Sequence, residues 1–384
     1  MQFEFATAGR IIFGPGTLLR AGLVIKNAGE RPLVVTGKNL QRAEPLLQLL
    51  RENNIEAATF SVSGEPTIQT VRDGVALAKS QNCDWVIGIG GGSVLDAGKA
   101  IAAMMTNEGD VVDYLEIIGQ GRTLGKDSAQ FLAIPTTAGT GSEVTRNAVL
   151  ASPEHRLKVS LRSSKMLPQL VVVDPELTYA LPPGITASTG LDALTQLIEP
   201  YVCLRANPMT DALCIEGIRR IARSFRRLVE NGTDANARAD MSMASLFGGM
   251  ALANAGLGAV HGFAGPIGGM FSAPHGEICA ALLADVMEIN LRALREREPR
   301  NQAVNRYDRV AALLTGNEHA TSNAGIEWIS ELVRDFKIPR LGSHGIRPEH
   351  TAEIVKNAMN ASSLKANPIA LTEAELGEIL ERAI

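Results

Sequence analysis

A short apolar segment that leads directly into glycines is the feature that most limits how this chain can fold. Trp85–Ile89 has the composition of a buried strand, Gly90–Gly92 follow at once, and Ser93–Met105 continues with helical periodicity. Glycine permits a tight turn and a close approach of the backbone to a ligand, and the first turn of a helix presents unpaired N–H groups to an anion. The segment therefore predicts one strand-turn-helix unit of a parallel sheet.

The same alternation of strand and helix extends over the first half of the chain. Further apolar runs predict strands at Arg31–Thr36, Ala57–Val62, Phe131–Pro135 and Leu170–Val173, and intervening periodic segments predict helices at Ala43–Asn53 and Ile68–Ser80. Strands joined by crossover helices favour a parallel, doubly wound sheet. Residues 1–180 are therefore predicted to form an α/β domain with a parallel sheet.

The pattern changes after the Leu181-Pro182-Pro183-Gly184 break. Extended runs almost disappear, and segments with a period of about 3.6 residues predict helices. These segments are Asp211–Val229, Ala239–Ala255, Ile278–Arg295, Ala303–Leu314, Ala324–Phe336 and Glu373–Ile384. A chain of 384 residues is long enough for two domains, so residues 181–384 are predicted to form an all-helical domain.

Composition narrows the compartment and the class of partner. The net charge of −4 gives no electrostatic reason to expect nucleic acid or an anionic membrane. The cysteines Cys83, Cys203, Cys214 and Cys279 form no CxxC pair, which favours free thiols in a reducing cytoplasm. The N-terminus shows no signal-peptide pattern, and no run approaches the roughly 20 apolar residues that cross a bilayer. We expect a cytoplasmic protein with a small-molecule partner.

A second loop resembles the glycine run in composition and position. The segment PTTAGTGSEVT, residues 135–145, follows the strand at Phe131–Ile134 and places hydroxyl side chains among glycines. Such groups suit phosphate or ribose oxygens, and two loops of this kind at strand ends suggest the walls of a dinucleotide site. Against this, the first loop lacks the third glycine of the G-x-G-x-x-G pattern. Both loops also have a purely structural interpretation, in which Ser93 with Asp96 forms a capping box and Ser142 caps a helix.

The helical half carries a possible metal site. His261 and His275 lie among small residues, and Asp192 and Gln196 stand at i and i+4 on a helix expected to be capped near Ser188 or Thr189. Carboxylate, amide and imidazole groups on facing helices can share a metal ion. The alternative is that the histidines are core or capping residues and that Asp192 and Gln196 only share a hydrogen bond. The spacing alone leaves both interpretations open.

Taken together, these segments resemble the iron-containing alcohol dehydrogenase family. The motifs in question are GGGSVLDAGK, PTTAGTGSEVT, DPELTYALPP, GLDALTQLIEPYV and the HG…PHG pair, and the similarity extends from about Phe13 to the C-terminus. The resemblance implies an N-terminal dinucleotide-binding domain, a helical C-terminal domain, and an architecture shared with dehydroquinate synthase. It also implies NAD or NADP, a divalent metal such as iron or zinc in the cleft between the domains, and a homodimer.

The resemblance also assigns the metal ligands. Asp192, His261 and His275 match ligands of the family and are the residues on which its chemistry depends, whereas Gln196 stands where the family has a further histidine ligand. A neutral amide binds more weakly than imidazole, so we expect reduced metal affinity and a shift towards harder cations. A second histidine of the family, thought to help relay protons, is replaced here by Gly265.

The cofactor contacts of the family match residues in both loops and beyond them. These residues are Gly91, Gly92, Ser93, Asp96, Thr136, Thr137, Thr140, Asn147 and Lys158. Gly37 stands where NAD-preferring members carry an acidic residue for the ribose hydroxyls. Because a carboxylate would repel a 2′-phosphate, its loss permits NADP.

The activity that the resemblance implies is NAD(P)-dependent hydride transfer between a small alcohol and its aldehyde, assisted by the metal. Two alternatives remain among enzymes: a metal-independent reductase similar to maleylacetate reductases, and a lyase similar to dehydroquinate synthase. The former usually show paired histidines where this chain has Val260-His261-Gly262. A nucleotide-binding protein without activity is the third alternative.

Overall fold

The computed structural model describes residues 2–26 and 28–384, and they form two compact units. The sheet unit comprises Thr7–Thr137 and Gly141–Ala180, and the helical unit comprises residues 2–6, Ala138–Thr140 and Leu181–Ile384. The division at Leu181 lies where the helical pattern begins. Two short segments, residues 2–6 and Ala138–Thr140, group with the helical unit although the predicted division into 1–180 and 181–384 assigned them to the first domain.

Contacts inside the helical unit explain these two exceptions. The backbone of Ala6 is held by Asn254, whose Oδ1 accepts from Ala6 N at 2.7 Å and whose Nδ2 donates to Ala6 O at 2.9 Å. Gly139 lies so close to Thr189 that an added Cβ would be 2.8 Å from the Thr189 Cβ. These are long-range contacts, which local sequence patterns do not reveal.

The sheet unit contains the parallel sheet that the sequence predicts. The strands are β1 (Ile11–Phe13), β2 (Pro32–Gly37), β3 (Ala58–Val62), β4 (Trp85–Gly90), β5 (Gln130–Pro135), β6 (Asn147–Ser152), β7 (Leu157–Arg162) and β8 (Leu170–Val173). Within the described residues, six of them pair in parallel in the order β1-β8-β5-β4-β2-β3. The antiparallel hairpin of β6 and β7 was not among the predicted strands.

Helices of the sheet unit connect these strands. They are α1 (Thr17–Arg20), α2 (Gly22–Lys26), α3 (Glu44–Glu52), α4 (Ile68–Ser80) and α5 (Gly92–Thr106). Helix α5 packs closely on the sheet because Gly98 faces the ring of Phe131, where an added Cβ would be 2.7 Å from a ring carbon. Gly88 on β4 meets the same ring, at 2.9 Å. The glycines around the first loop therefore serve helix–sheet packing as well as the turn.

The helical unit is built around a central, almost fully buried helix, α6. Its helices are α6 (Pro183–Val202), α7 (Pro208–Glu230), α8 (Ala235–Asn254), α9 (Ala259–Met270), α10 (His275–Arg297), α11 (Gln302–Thr315), α12 (Ser322–Asp335), α13 (Thr351–Met359) and α14 (Glu373–Ala383). Helix α6 packs against α7, α8 and α10. Gly276, the second residue of α10, allows a close approach, since an added Cβ would be 2.8 Å from the Ser188 carbonyl oxygen.

The predicted start of α6 is wrong. The helix begins at Pro183, so Ser188 and Thr189 lie inside it rather than at its cap, and both hydroxyls donate to the Ile185 carbonyl. Proline is well suited to the first position of a helix, because the N–H that it lacks would have no helical partner there. The Pro182-Pro183 pair thus begins the helix rather than only interrupting the chain.

Among the described residues no single helix is long and apolar enough to cross a membrane, and only α8 and α9 together, bent by 96°, meet the length and composition criteria.

Candidate metal centre

Three helices of the helical unit bring four metal-binding side chains together. Asp192 comes from α6, His261 from α9, and His275 and Cys279 from α10, and one ligand atom of each lies within 4.8 Å of all the others. Asp192 Oδ1 is 3.5 Å from His261 Nε2 and 3.7 Å from His275 Nε2. The structure therefore brings together three of the sequence-predicted ligands and adds a cysteine.

Two buried oxygen atoms at this cluster lack hydrogen-bond partners. Within residues 2–26 and 28–384, neither Asp192 Oδ1 nor Gln196 Oε1 has such a partner. Both residues lie on α6, at 1% and 2% exposure. Leaving a buried polar oxygen unpaired is costly, and more so when it belongs to a carboxylate. A divalent cation bound by these oxygens would remove that cost, so the residues fit the metal that the sequence predicts.

A second carboxylate on α6 orients His261. Glu199 Oε2 lies 2.6 Å from His261 Nδ1, and Glu199 Oε1 accepts the Val260 N–H at 2.8 Å. With Nδ1 held by this carboxylate, Nε2 faces Asp192 and is the nitrogen that would bind a cation. Glu199 is therefore a positioning residue, seven positions after Asp192 on the same helix.

The electrostatics of the cluster favour a positive charge. Burial by itself would lower the pKa of His261, but Cys279, Glu199 and Asp192 more than offset it and raise the pKa well above its usual value. Burial by itself would raise the pKa of Asp192, yet the charges of His275 and His261 lower it overall. The donor set therefore attracts positive charge, as a site for a divalent cation requires.

Sequence analysis missed Glu199 and Cys279. The signal for Glu199 was its spacing, since Asp192, Gln196 and Glu199 at i, i+4 and i+7 share one helical face. The signal for Cys279 was its place four residues after His275. The position of Gly265, on α9 one turn after His261, is unobstructed, because an added Cβ would meet no described heavy atom within 4 Å.

In the sheet unit, most of the predicted cofactor residues gather at the carboxyl ends of neighbouring strands. Gly37 ends β2, Gly91 follows β4, and Thr136 and Thr137 follow β5. Since β4 pairs with both β2 and β5, these positions share one edge of the sheet. Gly91 is the N-cap of α5, whose first turn contains Gly92 and Ser93. This is the edge at which parallel sheets bind nucleotides.

The predicted capping box at this loop is wrong. Helix α5 already begins at Gly92 behind the N-cap Gly91, which makes no side-chain cap bond. Asp96 instead accepts hydrogen bonds from the Ser142 hydroxyl and from Val149 N, the latter at 2.9 Å, and pairs with Lys99 Nζ at 3.0 Å. The carboxylate of Asp96 thus holds the second loop in place through its hydrogen bond with Ser142.

The remaining predicted cofactor residues lie elsewhere. Ser142 is not a helix cap either, because Gly141 holds that place in a short 3₁₀ turn. Asn147 begins β6 and its carbonyl accepts from Lys99 Nζ, and Lys158 on β7 pairs with Glu65 at 3.1 Å. Thr140 groups with the helical unit. No cofactor contact of these residues is tested by the structure, and they stay predictions.

Comparison with known proteins agrees with the resemblance. The profile of a family described as iron-containing alcohol dehydrogenase matches residues 8–175, and that of the Fe-containing alcohol dehydrogenase family, C-terminal, matches residues 186–384. The chain belongs to the iron-containing alcohol dehydrogenase family. Among its relatives, alcohol dehydrogenase 4 of Schizosaccharomyces pombe is 37% identical, over 97% of this chain and 87% of the relative. A 1,3-propanediol dehydrogenase of Klebsiella pneumoniae is 35% identical, over 100% of this chain and 99% of the relative.

Solved structures give the same result. A crystal structure of a 1,3-propanediol oxidoreductase superposes with a TM-score of 0.91 at 35% identity, covering 100% of both chains. As a member of the iron-containing alcohol dehydrogenase family, the chain is an oxidoreductase that acts on CH–OH groups. These findings decide for the dehydrogenase over the lyase alternative. Family membership also implies a divalent metal and a nicotinamide cofactor in general.

Proposed function

We propose that this family member interconverts a small alcohol and its aldehyde, with NAD or NADP as hydride carrier and a divalent cation held by Asp192, His261 and His275. The observation that carries the proposal is the cluster of ligand atoms within 4.8 Å, together with the unpaired buried oxygens of Asp192 and Gln196. When bound, the cation supplies Lewis acidity towards the substrate oxygen, and the nicotinamide accepts or donates the hydride.

The chain's own residues prepare the site for this chemistry. Glu199 fixes the orientation of the His261 imidazole, so that the ring need not turn when a cation binds. The side chain of His275 is 32% exposed, whereas that of Asp192 is only 2% exposed. His275 therefore marks the side of the cluster that a solute can reach. This asymmetry supports a catalytic rather than a closed structural metal site.

The nucleotide loops support a pyrophosphate contact at the start of α5. The N–H groups of its first turn have no helical partners and suit an anion. Gly91 lets the Thr137 side chain approach closely, since an added Cβ would be only 3.3 Å from its methyl carbon and 3.5 Å from its hydroxyl oxygen. Gly37 places no carboxylate at the end of β2, so we propose that NADP is accepted as well as NAD.

We further propose a cytoplasmic homodimer whose partner is a small molecule. The family resemblance supports the dimer, and the net charge of −4 supports the absence of nucleic acid as a partner. Size-exclusion chromatography with light scattering tests the assembly, and a monomer at micromolar concentration would contradict it.

The activity is tested by following reduced nicotinamide while purified, metal-loaded protein acts on a panel of short alcohols and aldehydes with each cofactor. Asp192→Asn keeps the shape of the side chain but removes its charge, so it should lose both bound metal and turnover. His261→Ala should likewise lose bound metal and turnover. His319→Ala replaces an exposed histidine outside the cluster, so as the control it should change neither metal content nor turnover. No net turnover of either cofactor would contradict the proposal. Full activity of Asp192→Asn after chelation would instead support the metal-independent reductase.

A further inference from the structure

We propose that Cys279 is a metal ligand of this site. It would supply the strong fourth donor that the family takes from a histidine, at whose sequence position this chain has Gln196. The inference rests on the metal of the proposed function and identifies the fourth donor. Cys279 is fully buried on α10, and its Sγ lies 3.7 Å from His275 Nε2 and 3.9 Å from His261 Nε2.

These distances, together with those from Asp192 to the two histidines, match four of the six edges of a tetrahedron around one metal ion. Two ligands of a tetrahedral zinc ion, with bonds of about 2.3 Å to sulfur and about 2.05 Å to nitrogen, stand about 3.6 Å apart. The corresponding edge between a carboxylate oxygen and a nitrogen is about 3.4 Å. The observed sulfur–nitrogen separations are 3.7 and 3.9 Å, and the oxygen–nitrogen separations are 3.5 and 3.7 Å. All four lie within a few tenths of an ångström of the expected edges, and the two oxygen–nitrogen separations are long for ordinary hydrogen bonds.

Helix geometry explains how the thiol comes to this position. His275 and Cys279 are one turn apart on α10, so both side chains project from the same face of the helix. Gly276 brings this face close to α6, since an added Cβ there would be 2.8 Å from the Ser188 carbonyl oxygen. The side chain that projects beside His275 is therefore held close to the carboxylate of Asp192.

The environment of Cys279 differs from that of the other buried cysteines. Cys203 donates its thiol to the Pro200 carbonyl, and Cys214 and Cys279 both belong to the apolar core of the helical unit. Cys279 Sγ differs in that it also contacts two imidazole nitrogens, next to the unpaired oxygens of Asp192 and Gln196. A thiol beside ligand atoms is placed for coordination as well as for packing.

A thiolate in the donor set changes the expected metal. Soft sulfur ligands favour zinc, cobalt or ferrous iron over magnesium and manganese. The expectation of a harder cation was drawn from Gln196 alone. A thiolate ligand from Cys279 would instead shift the preference towards softer metal ions. Four protein ligands still permit substrate binding, because zinc accepts a fifth ligand during catalysis.

X-ray absorption on the zinc-loaded wild-type protein is the direct test, and it needs no variant. One sulfur at about 2.3 Å is expected, whereas a shell of nitrogen and oxygen only would overturn the inference. If the protein binds no zinc, cobalt or iron at all, the metal of the proposed function fails as well. If it binds about one ion per chain without sulfur, only the assignment of Cys279 fails.

Cobalt substitution tests the identity of the sulfur. Wild-type protein and Cys214→Ser, the matched buried control, should both show a thiolate-to-cobalt charge-transfer band, and Cys279→Ser should lose it. Chelator competition should show at least a 100-fold loss of zinc affinity in Cys279→Ser, more than the roughly 10–100-fold typical of an outer-shell partner. A band that persists in Cys279→Ser would overturn the proposal.

A rescue experiment completes the design. Adding Gln196→His to Cys279→Ser returns an imidazole to the donor set, so zinc affinity should recover at least tenfold. A recovery larger than the gain from Gln196→His in the wild-type background is expected only if the two positions serve the same ion, and its absence in a double variant that keeps the wild-type circular dichroism spectrum would count against the proposal. Cys279→Ala serves in place of Cys279→Ser if the serine variant does not fold.

Discussion

Replacing Glu143 by glutamine should remove a pH-dependent loss of stability from the sheet unit. Glu143 lies in the loop after β5 and is 2% exposed. Burial raises the pKa of its carboxyl group to about 7, although its own backbone N–H and the nearby Lys99 partly oppose the shift. Lys99 itself is fully buried, and the same burial lowers the pKa of its ammonium group. The folded protein therefore favours the neutral acid at position 143.

The direction of the effect follows from proton binding. The pKa of the group is near 4.5 in the unfolded chain and about 7 in the folded protein. Between these values the folded state holds the proton more tightly, so the stabilisation is fully present below about pH 4.5 and is lost as the pH rises through about 7. Each pH unit in this interval corresponds to about 1.4 kcal/mol, which gives a total of about 3 kcal/mol. Glutamine has nearly the same shape and does not titrate.

Urea unfolding of wild type and Glu143→Gln between about pH 5 and pH 8.5 measures the difference. The two proteins should have similar free energies of unfolding at the acidic end, and the variant should be about 2–3 kcal/mol more stable at the alkaline end. Glu154→Gln, on an exposed residue of the same unit, should follow the wild-type profile. Parallel profiles for wild type and Glu143→Gln would refute the argument, because Glu143 would then be ionised in the folded protein at no cost.

Three further predictions concern the site. Gln196→His in the wild-type background should tighten zinc binding about tenfold or more, as measured by chelator competition, since imidazole is the stronger donor; unchanged affinity would show that position 196 does not face the ion. Gly91→Val should weaken NAD(P)H binding at least about tenfold in calorimetry while the protein stays folded, because the side chain would occupy phosphate space; equal affinity would show that the phosphate does not contact this loop. Gly37→Asp should shift the ratio of kcat/KM towards NAD by about tenfold or more through repulsion of a 2′-phosphate. An Asp side chain has room there, with Val94 the nearest neighbour at 3.9 Å from an added Cβ, so an unchanged ratio would mean that Gly37 does not face the ribose.

Features that depend on short stretches of chain could be predicted from the sequence alone. Apolar runs located β4 and β8, and helical periodicity located α4 within its observed bounds. These patterns are local, because a buried strand or an amphipathic helix carries its own periodicity. The motifs also determined the family, and with it the expectation that Asp192, His261 and His275 belong together.

Which side chains meet across the fold could be seen only in the three-dimensional structure. Asp96 is satisfied by Ser142 and Val149, about fifty residues further along the chain, and no capping pattern near Ser93 could indicate that. In the same way, the approach of α10 to α6 decides that the thiol of Cys279 faces the imidazoles. Helical spacing shows which residues share a face, but the neighbour of that face is set by packing between distant segments.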